Sequence, residues 1–208
     1  MNSEIIFKYF SDLSEEQRGK MVKLGEVYRF YNDRVNLISR KDIDNLYSHH
    51  ILHSLAIAKF ITPADNTTFL DFGTGGGFPG IPLAIMFPNC SFHLIDRIGK
   101  KLKVAEAAAN AAGLNNVTFQ HGDIGECHGK YDFIVSRAVM RLEDLAKLSR
   151  KNISTKSFNL LPNGLLCLKG GDLSDEITAT GRPTIEVPLS DYFSGEYFET
   201  KKLLYVEM

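Results

Sequence analysis

Five glycines stand close together in residues 69–80, which read FLDFGTGGGFPG. The first residues of this segment belong to a short apolar run that is typical of a buried strand. Glycine permits sharp turns and close approach to a ligand, and doubly wound sheets bind ligands at the turn after their first strand. The spacing Gly75-x-Gly77-x-x-Gly80 also matches the dinucleotide pattern, which is weak evidence by itself because bulges and tight turns need glycine too. The segment is a candidate ligand-binding turn.

Three aspartates follow the predicted strands beside this turn. Asp71 precedes the glycines in the D-x-G-x-G form that methyltransferases show, and its carboxylate suits a positively charged amino-acid tail better than a pyrophosphate. Asp96 ends the second strand, where an acid can accept hydrogen bonds from both ribose hydroxyls of a cofactor. Its alternative role is to cap the following helix. Asp123 follows the third strand, where methyltransferases often contact the adenine amino group. Asp71 favours an adenosyl cofactor over a nicotinamide dinucleotide, whereas the role of Asp96 is common to both kinds of site.

Basic residues are predicted near the same strand ends. Three open the helix after the second strand, two follow the fourth strand and one ends the fifth: Lys100, Lys101, Lys103, Arg137, Arg141 and Lys169. Such positions could hold the phosphates of RNA near the mouth of a cofactor site. The alternative for the three lysines is a solvated helix face, and the alternative for Arg137 is a structural salt bridge.

Three histidines, His49, His50 and His53, fall within one predicted helical stretch. Pairs of them could share a helix face, but neither an H-E-x-x-H motif nor a third-ligand pattern accompanies them. We therefore expect no metal site. Packing of His50 beside the cofactor domain, or its contact with RNA, is the favoured interpretation.

The composition describes a globular chain of about one domain. It has 208 residues, of which 44% are hydrophobic and 24% charged, and no apolar stretch approaches the length of a membrane span. The three cysteines are widely spaced without a C-x-x-C motif, which argues against disulfides and structural zinc and favours the cytoplasm. The net charge is −1, yet residues 97–170 carry 12 basic and 6 acidic side chains. That imbalance fits a face for a polyanion or an unevenly charged solvated surface.

The elements that must position these residues fall into two parts. Residues 1–62 are predicted to be helical, with a capping-box pattern at Ser14 and Gln17 and a second helical stretch over about residues 42–60. Residues 63–208 are predicted to form a core domain in which strands and helices alternate, which indicates an α/β fold with a mostly parallel sheet covered on both faces. The predicted strands are residues 68–72, 91–95, 117–119, 131–135, 165–169, 184–188 and 202–207.

With further motifs on both sides of the glycine turn, the chain resembles the family of ribosomal RNA small subunit methyltransferase G, also called glucose-inhibited division protein B. The block GxGxGFPGIP is far more specific than a generic glycine turn, and the order of the motifs argues against coincidence. The shared segments are residues 31–37 (YNDRVNL), 50–55 (HILHSL), 70–83 (LDFGTGGGFPGIPL), 94–101 (LIDRIGKK), 136–138 (SRA) and 168–170 (LKG).

The resemblance implies a Rossmann-like class I methyltransferase sheet with an N-terminal helical extension. It implies methyl transfer from S-adenosylmethionine to N7 of one guanine in 16S ribosomal RNA of the small ribosomal subunit, and we expect a monomer without metal or membrane association. The residues that the family motifs place around the cofactor are Gly73 and Phe78 at its methionine end, Ile124 and Gly125 at its adenine, and Arg137 in the cleft. Gly75, in the same turn, is a further candidate cofactor-binding residue. The chain departs from the family at His53, where Asp is usual, and around residues 123–125, where a basic residue and an acid are frequent.

Methylation at guanine N7 needs little proton transfer. That nitrogen carries a lone pair and no proton, so the reaction is an in-line displacement that depends on positioning and exclusion of water. We expect no general base, and Arg137 and Lys100 are the candidate positioning residues. A nicotinamide-dependent oxidoreductase shares the turn and Asp96, but Asp71 argues against it. A protein that only binds ribosomal RNA would not need the glycine turn and Asp96 together.

Overall fold

The computed structural model describes residues 3–35, 37–39 and 41–208, so Asn36 of the motif over residues 31–37 lies outside the described residues. A seven-stranded sheet with the order β3-β2-β1-β4-β5-β7-β6 forms the centre of the molecule. Its strands are β1 (Thr68–Phe72), β2 (Ser91–Asp96), β3 (Val117–His121), β4 (Phe133–Arg137), β5 (Gly164–Gly170), β6 (Thr184–Pro188) and β7 (Lys201–Glu207).

The first five strands are parallel, whereas β7 runs antiparallel to β5 and β6 antiparallel to β7. The predicted α/β fold is confirmed. The chain crosses over after each of β1 to β4, which brings the carboxyl ends of β1, β2 and β4 side by side at the reversal of strand order, where such sheets bind ligands.

The central strands of the sheet carry buried apolar side chains on both faces. On β1, Phe69 belongs to one core and Leu70 to the other, and both are fully buried. Phe69 stacks at 4.7 Å from the ring of Phe92 on β2 and at 5.7 Å from the ring of Phe133 on β4. This aromatic layer fixes the three strands whose ends carry the candidate site.

Eight α-helices accompany the sheet in the described part of the chain: α1 (Glu4–Tyr9), α2 (Glu15–Val35), α3 (His53–Phe60), α4 (Gly80–Met86), α5 (Gly99–Ala111), α6 (Leu142–Ser149), α7 (Ser174–Thr180) and α8 (Glu196–Glu199). The capping box is confirmed, since Gln17 N donates to Ser14 Oγ at 3.2 Å and Ser14 N donates to Gln17 Oε1 at 3.0 Å. No helix among the described residues is long and apolar enough to cross a membrane.

The helical stretch predicted over residues 42–60 is confirmed, but its helix type changes along its length. A short 3₁₀ turn (Ile43–Asn45) leads into a π-helical turn (Leu46–Leu52), and α3 begins only at His53. The hydroxyl of Ser54 donates to the carbonyl of His50 at 2.6 Å, within the wider turn. π-Helical turns are frequent at functional sites, and this one carries two of the three histidines.

The N-terminal helices share the core of the sheet domain. Met21, Leu24 and Tyr28 of α2 are fully buried in the same cluster as Phe69 of β1 and Ile81 of α4. Burial of these side chains is worth roughly 1.5–3 kcal/mol each, so the helical extension and the sheet stabilise one another.

Candidate active site

A cavity of about 460 Å³ opens at the carboxyl ends of β1, β2 and β4. Its walls bring together predicted site residues from distant parts of the chain: Gly73, Gly75, Phe78, Asp96, Lys101, Asp123, Ile124 and Arg137. Polar and apolar groups line it together, as is usual for a site that holds a small molecule.

The glycine turn shapes one wall of this cavity, and larger residues would not fit in it. A Cβ at Gly76 would lie 2.2 Å from Leu37 Cδ2. Gly77 has φ +104°, and a Cβ there would lie 2.5 Å from Ile81 Cγ1. Both positions therefore require glycine for the turn to pack against Leu37 and Ile81.

Asp71 lies behind the turn and not at the cavity surface. Its side chain is fully buried and is absent from the cavity wall. The Oδ2 atom accepts hydrogen bonds from Thr74 Oγ1 at 2.6 Å and Gly80 N at 2.7 Å, whereas Oδ1 has no partner in the described structure. The structure uses this carboxylate to fasten both ends of the turn, and its expected role toward the amino-acid tail of a cofactor stays a prediction.

Asp71→Asn should change how stability depends on pH. Burial raises the pKa of the Asp71 carboxyl to about 7, although Thr74 and Gly80 donate to it. The folded chain holds this proton more tightly than the unfolded chain, so the group makes wild-type stability fall as pH rises from about 4 to about 7. Relative to wild type, the variant should gain on the order of 2 kcal/mol between pH 5 and pH 8. Urea unfolding of both proteins across this range measures the difference, and parallel stability curves would contradict the expectation.

Asp96 stands at the end of β2 and ties the glycine turn to the next helix. Its Oδ2 accepts from Gly75 N at 2.7 Å and its Oδ1 accepts from Ile98 N at 2.7 Å. Asp96 is not the N-cap of α5, because Ile98 occupies that position. Each carboxylate oxygen keeps a lone pair, and the residue lines the cavity, so it can also accept from ribose hydroxyls.

The third acid lies in the cavity wall after β3. Asp123 caps a 3₁₀ turn (Ile124–Glu126) by accepting from Gly125 N at 2.8 Å, and the Glu126 side chain accepts from Asp123 N at 3.1 Å. Asp123 and Ile124 line the cavity, but Gly125 does not. The structure therefore places two of the three residues expected at the adenine beside the cavity, and places Gly125 in the cap behind them.

Arg137 ends β4 and stands between this cavity and a second one. Its Nη2 donates to His50 Nδ1 at 3.1 Å, its Nη1 donates to the His49 carbonyl at 3.3 Å, and its guanidinium lies 5.0 Å from the centre of the Phe78 ring. Phe78 in turn stacks on Tyr28 at 4.7 Å. Two hydrogen bonds and the contact with the Phe78 ring hold the guanidinium in place. No acid among the described residues forms an ion pair with it, so the predicted alternative of a structural salt bridge does not describe Arg137.

The second cavity, of about 600 Å³, is lined by histidines, basic residues and a tyrosine. His50 Nε2 donates to Asp42 Oδ2 at 2.7 Å, because its Nδ1 accepts from Arg137. Tyr197 donates to the His49 carbonyl at 3.0 Å and accepts from His53 Nδ1 at 2.9 Å. His53 Nε2 has no partner in the described structure.

Two histidines in this wall, His50 and His53, are neutral at physiological pH. Burial, followed by the charge of Arg137, lowers the pKa of His50 to about 4 although Asp42 opposes the shift. The same two causes lower the pKa of His53 well below its ordinary value. Among the described residues, no group of His, Cys, Asp and Glu side chains is arranged to hold a metal ion.

Comparison with known proteins decides the family. A family model described as rRNA small subunit methyltransferase G matches residues 17–187. The ribosomal RNA small subunit methyltransferase G of Bacteroides thetaiotaomicron is 55% identical over 205 residues, covering 99% of this chain and 100% of the relative. That of Phocaeicola vulgatus is 54% identical over 203 residues, covering 98% and 97%. The chain belongs to the ribosomal RNA small subunit methyltransferase G family.

Family membership confirms the resemblance drawn from the motifs, and members of the methyltransferase G family are S-adenosylmethionine-dependent methyltransferases. The fold agrees with a solved structure of an RNA methyltransferase from Salinibacter ruber in complex with S-adenosyl-L-homocysteine. It has a TM-score of 0.52 and 16% identity, and the match covers 76% of this chain and 88% of that chain. Gly76 in the cavity wall, where a Cβ has no room, and the free lone pairs of Asp96 fit such a cofactor.

The six basic residues that the sequence selected differ in their availability to RNA. Lys100 and Lys103 are exposed on α5, and Lys101 of the same helix lines the first cavity. Arg141 instead pairs with Glu143, and Lys169 is mostly buried in an ion pair with Glu176 at 2.7 Å. Neighbouring acids hold these last two residues, and their contact with RNA stays a prediction.

Three residues of the second cavity, Glu176, Tyr197 and Lys201, were missed by sequence reasoning in this methyltransferase G chain. They belong to α7, α8 and β7, which come after the last shared motif. The signal that could have pointed to them is their position after residues 168–170, since the strand end there must face the substrate side of the sheet.

Proposed function

We propose that this protein transfers a methyl group from S-adenosylmethionine to N7 of a specific guanine in 16S ribosomal RNA of the small ribosomal subunit. The observation that carries the proposal is the junction of the two cavities at Arg137 and His50, which line both. One cavity holds the glycine turn and Asp96, and the other has the cations and rings that suit a nucleotide. A donor in the first and a base in the second would meet at this junction.

On the cofactor side, the chain holds the methyl donor by backbone and by acids. S-adenosylmethionine supplies the methyl group as a sulfonium when it is bound. We assign its contacts to the residues at the cavity and to those that shape its walls from behind: Asp71, Gly73, Gly75, Phe78, Asp96, Asp123, Ile124, Gly125 and Arg137. Asp71 and Gly125 act in this assignment through the turns that they hold.

On the substrate side, no residue has to remove a proton. Guanine N7 attacks with its own lone pair, so orientation and exclusion of water are what the site must supply. The neutral imidazoles of His50 and His53 add no further positive charge where the purine becomes cationic. Arg137 has guanidinium donors beyond those given to His49 and His50, and these can fix the base or its phosphate.

The RNA backbone is assigned to the basic rim. Lys100, Lys101 and Lys103 open α5 beside the cofactor cavity, and His50, Arg141 and Lys169 border the second cavity. In this assignment Arg141 and Lys169 act from within their ion pairs. With ribosomal RNA as the substrate we place the activity in the cytoplasm, and one copy of the chain, as a monomer, carries both cavities. The helical segment 1–62 then serves as an extension of the core domain over residues 63–208.

The proposal predicts which cofactor the protein binds and which atom of the RNA it methylates. Calorimetry should detect binding of S-adenosylmethionine and none of NAD. Sites for the two ligands have the glycine turn and an acid like Asp96 in common, but the rest of this cavity differs from a NAD site. Incubation of labelled S-adenosylmethionine with unmodified small subunits, and in parallel with deproteinised 16S RNA, should label one guanine at N7. RNA with 7-deazaguanosine at that position should stay unlabelled. NAD binding would favour an oxidoreductase, and RNA binding without any label would favour a scaffold.

A further inference from the structure

The second cavity contains a single carboxylate among the described residues of its wall, that of Glu176 on α7. The other charged groups there are cations, so this acid is unusual for a surface that meets RNA. Its side chain is 18% exposed. A carboxylate among these cations could accept hydrogen bonds from a bound base.

The structure fixes the Glu176 carboxylate in one orientation. Its Oε2 accepts from Lys169 Nζ at 2.7 Å and from Leu142 N at 2.8 Å, and Lys169 Nζ also donates to the Met140 carbonyl at 2.8 Å. Burial raises the pKa of Glu176, but the hydrogen bonds from Lys169 and Leu142 lower it by more. The net pKa is below its ordinary value, so the group is a carboxylate at neutral pH. The Oε1 atom has no hydrogen-bond partner among the described residues, and an ionised carboxylate oxygen can only accept.

Guanine carries matching donors. Its Watson–Crick edge presents N1–H and the N2 amino group, whereas adenine presents an unprotonated N1 on the same edge. N7 lies on the opposite side of the purine. A guanine whose N7 faces the first cavity at Arg137 therefore turns its N1 and N2 away from that cavity, and Glu176 lines only the second cavity.

We propose that Glu176 is the residue that selects guanine, by accepting hydrogen bonds from the N2 amino group and N1–H of the target base. The proposal rests on the proposed function, since it needs a guanine with N7 at the cofactor junction. Lys169 is then a positioning residue that holds the carboxylate through its ion pair. Specificity arises because any purine without these donors leaves a buried acceptor unpaired.

Glu176→Gln is the direct test. Glutamine can keep its oxygen on Lys169 and Leu142 and turn its NH₂ toward the base, which replaces an acceptor by a donor. The substrate is 16S RNA in which the guanosine methylated by the wild-type enzyme is kept or replaced by inosine, which lacks only the N2 amino group. Wild-type kcat/KM should fall by about 10-fold or more on inosine RNA. The variant should lose a similar factor on guanosine RNA and should treat the two RNAs alike.

The control is Glu186→Gln, which alters another Lys–Glu pair, at 2.8 Å between Lys202 and Glu186, away from both cavities. It should preserve the guanosine-to-inosine ratio and the rate. Wild-type enzyme that methylates both RNAs equally would overturn the assignment of Glu176, and so would a variant that loses rate but keeps the wild-type ratio. Absence of N7 label with wild-type enzyme and guanosine RNA would instead refute the proposed function itself.

Discussion

Replacing Arg137 by methionine should slow methyl transfer by about 10²- to 10³-fold at saturating S-adenosylmethionine, the cost typical of removing one preorganised donor from an active site. Methionine keeps much of the apolar stem but cannot donate to His50 Nδ1 or to the His49 carbonyl. It would leave both acceptors unpaired at the wall between the cavities. The change therefore disturbs orientation at the junction more than the binding of cofactor.

Single-turnover methylation of 16S RNA measures this loss, and calorimetry with S-adenosylmethionine separates it from cofactor binding. Arg182→Met is the matched control, because Arg182 donates to the Glu207 carbonyl at the far edge of the sheet and lines neither cavity. It should retain the wild-type rate. If the Arg137 variant methylates at the wild-type rate, the junction does not orient the reactants. If its cofactor affinity falls by the same factor as its rate, Arg137 serves cofactor binding alone.

The sequence was sufficient to predict the sheet and its cofactor edge because those depend on local patterns. Short apolar runs that alternate with helical patterns indicate strands, and the predicted strands over residues 68–72 and 184–188 match β1 and β6 to the residue. Glycines in a turn indicate a backbone conformation that other residue types rarely adopt. Features that depend only on neighbouring residues, including the capping box at Ser14, were therefore predictable.

Burial and long-range pairing were not predictable from the same patterns. Asp71 looks like a ligand-facing acid in sequence, but whether a carboxylate at a strand end faces solvent or the inside of the turn depends on packing by α4, which begins at Gly80. Similarly, Lys169 appears as a free cation until its partner, seven residues later on α7, is placed beside it.

The substrate side depends on still more distant contacts. Tyr197 reaches His53 across 144 positions of sequence, and the antiparallel strand β7 that comes after α8 inserts between β5 and β6. Neither the periodicity nor the spacing of residues predicts such long-range contacts, because every strand order would satisfy the same apolar pattern. The site residues that the sequence did not predict are therefore those that come after residue 170.

Asp96→Ala should weaken S-adenosylmethionine binding by about 100-fold or more, since hydrogen bonds to a charged acceptor are worth roughly 1.5–3 kcal/mol each. The carboxylate would lose its contacts with the ribose hydroxyls, and Gly75 N and Ile98 N would lose their acceptor. The glycine turn would then be less well fixed for the rest of the cofactor. Both effects act on affinity, so excess cofactor should recover much of the methylation rate.

Calorimetry with S-adenosylmethionine and a methylation assay over a range of cofactor concentrations measure the two effects. Asp172→Ala is the matched control: Asp172 likewise accepts from a backbone N–H two residues later, that of Ser174, but lies outside both cavities. Its affinity for the cofactor should equal that of wild type. Asp96→Ala protein that binds S-adenosylmethionine within about threefold of wild type would show that Asp96 only shapes the turn, because even one charged hydrogen bond is worth more than that factor.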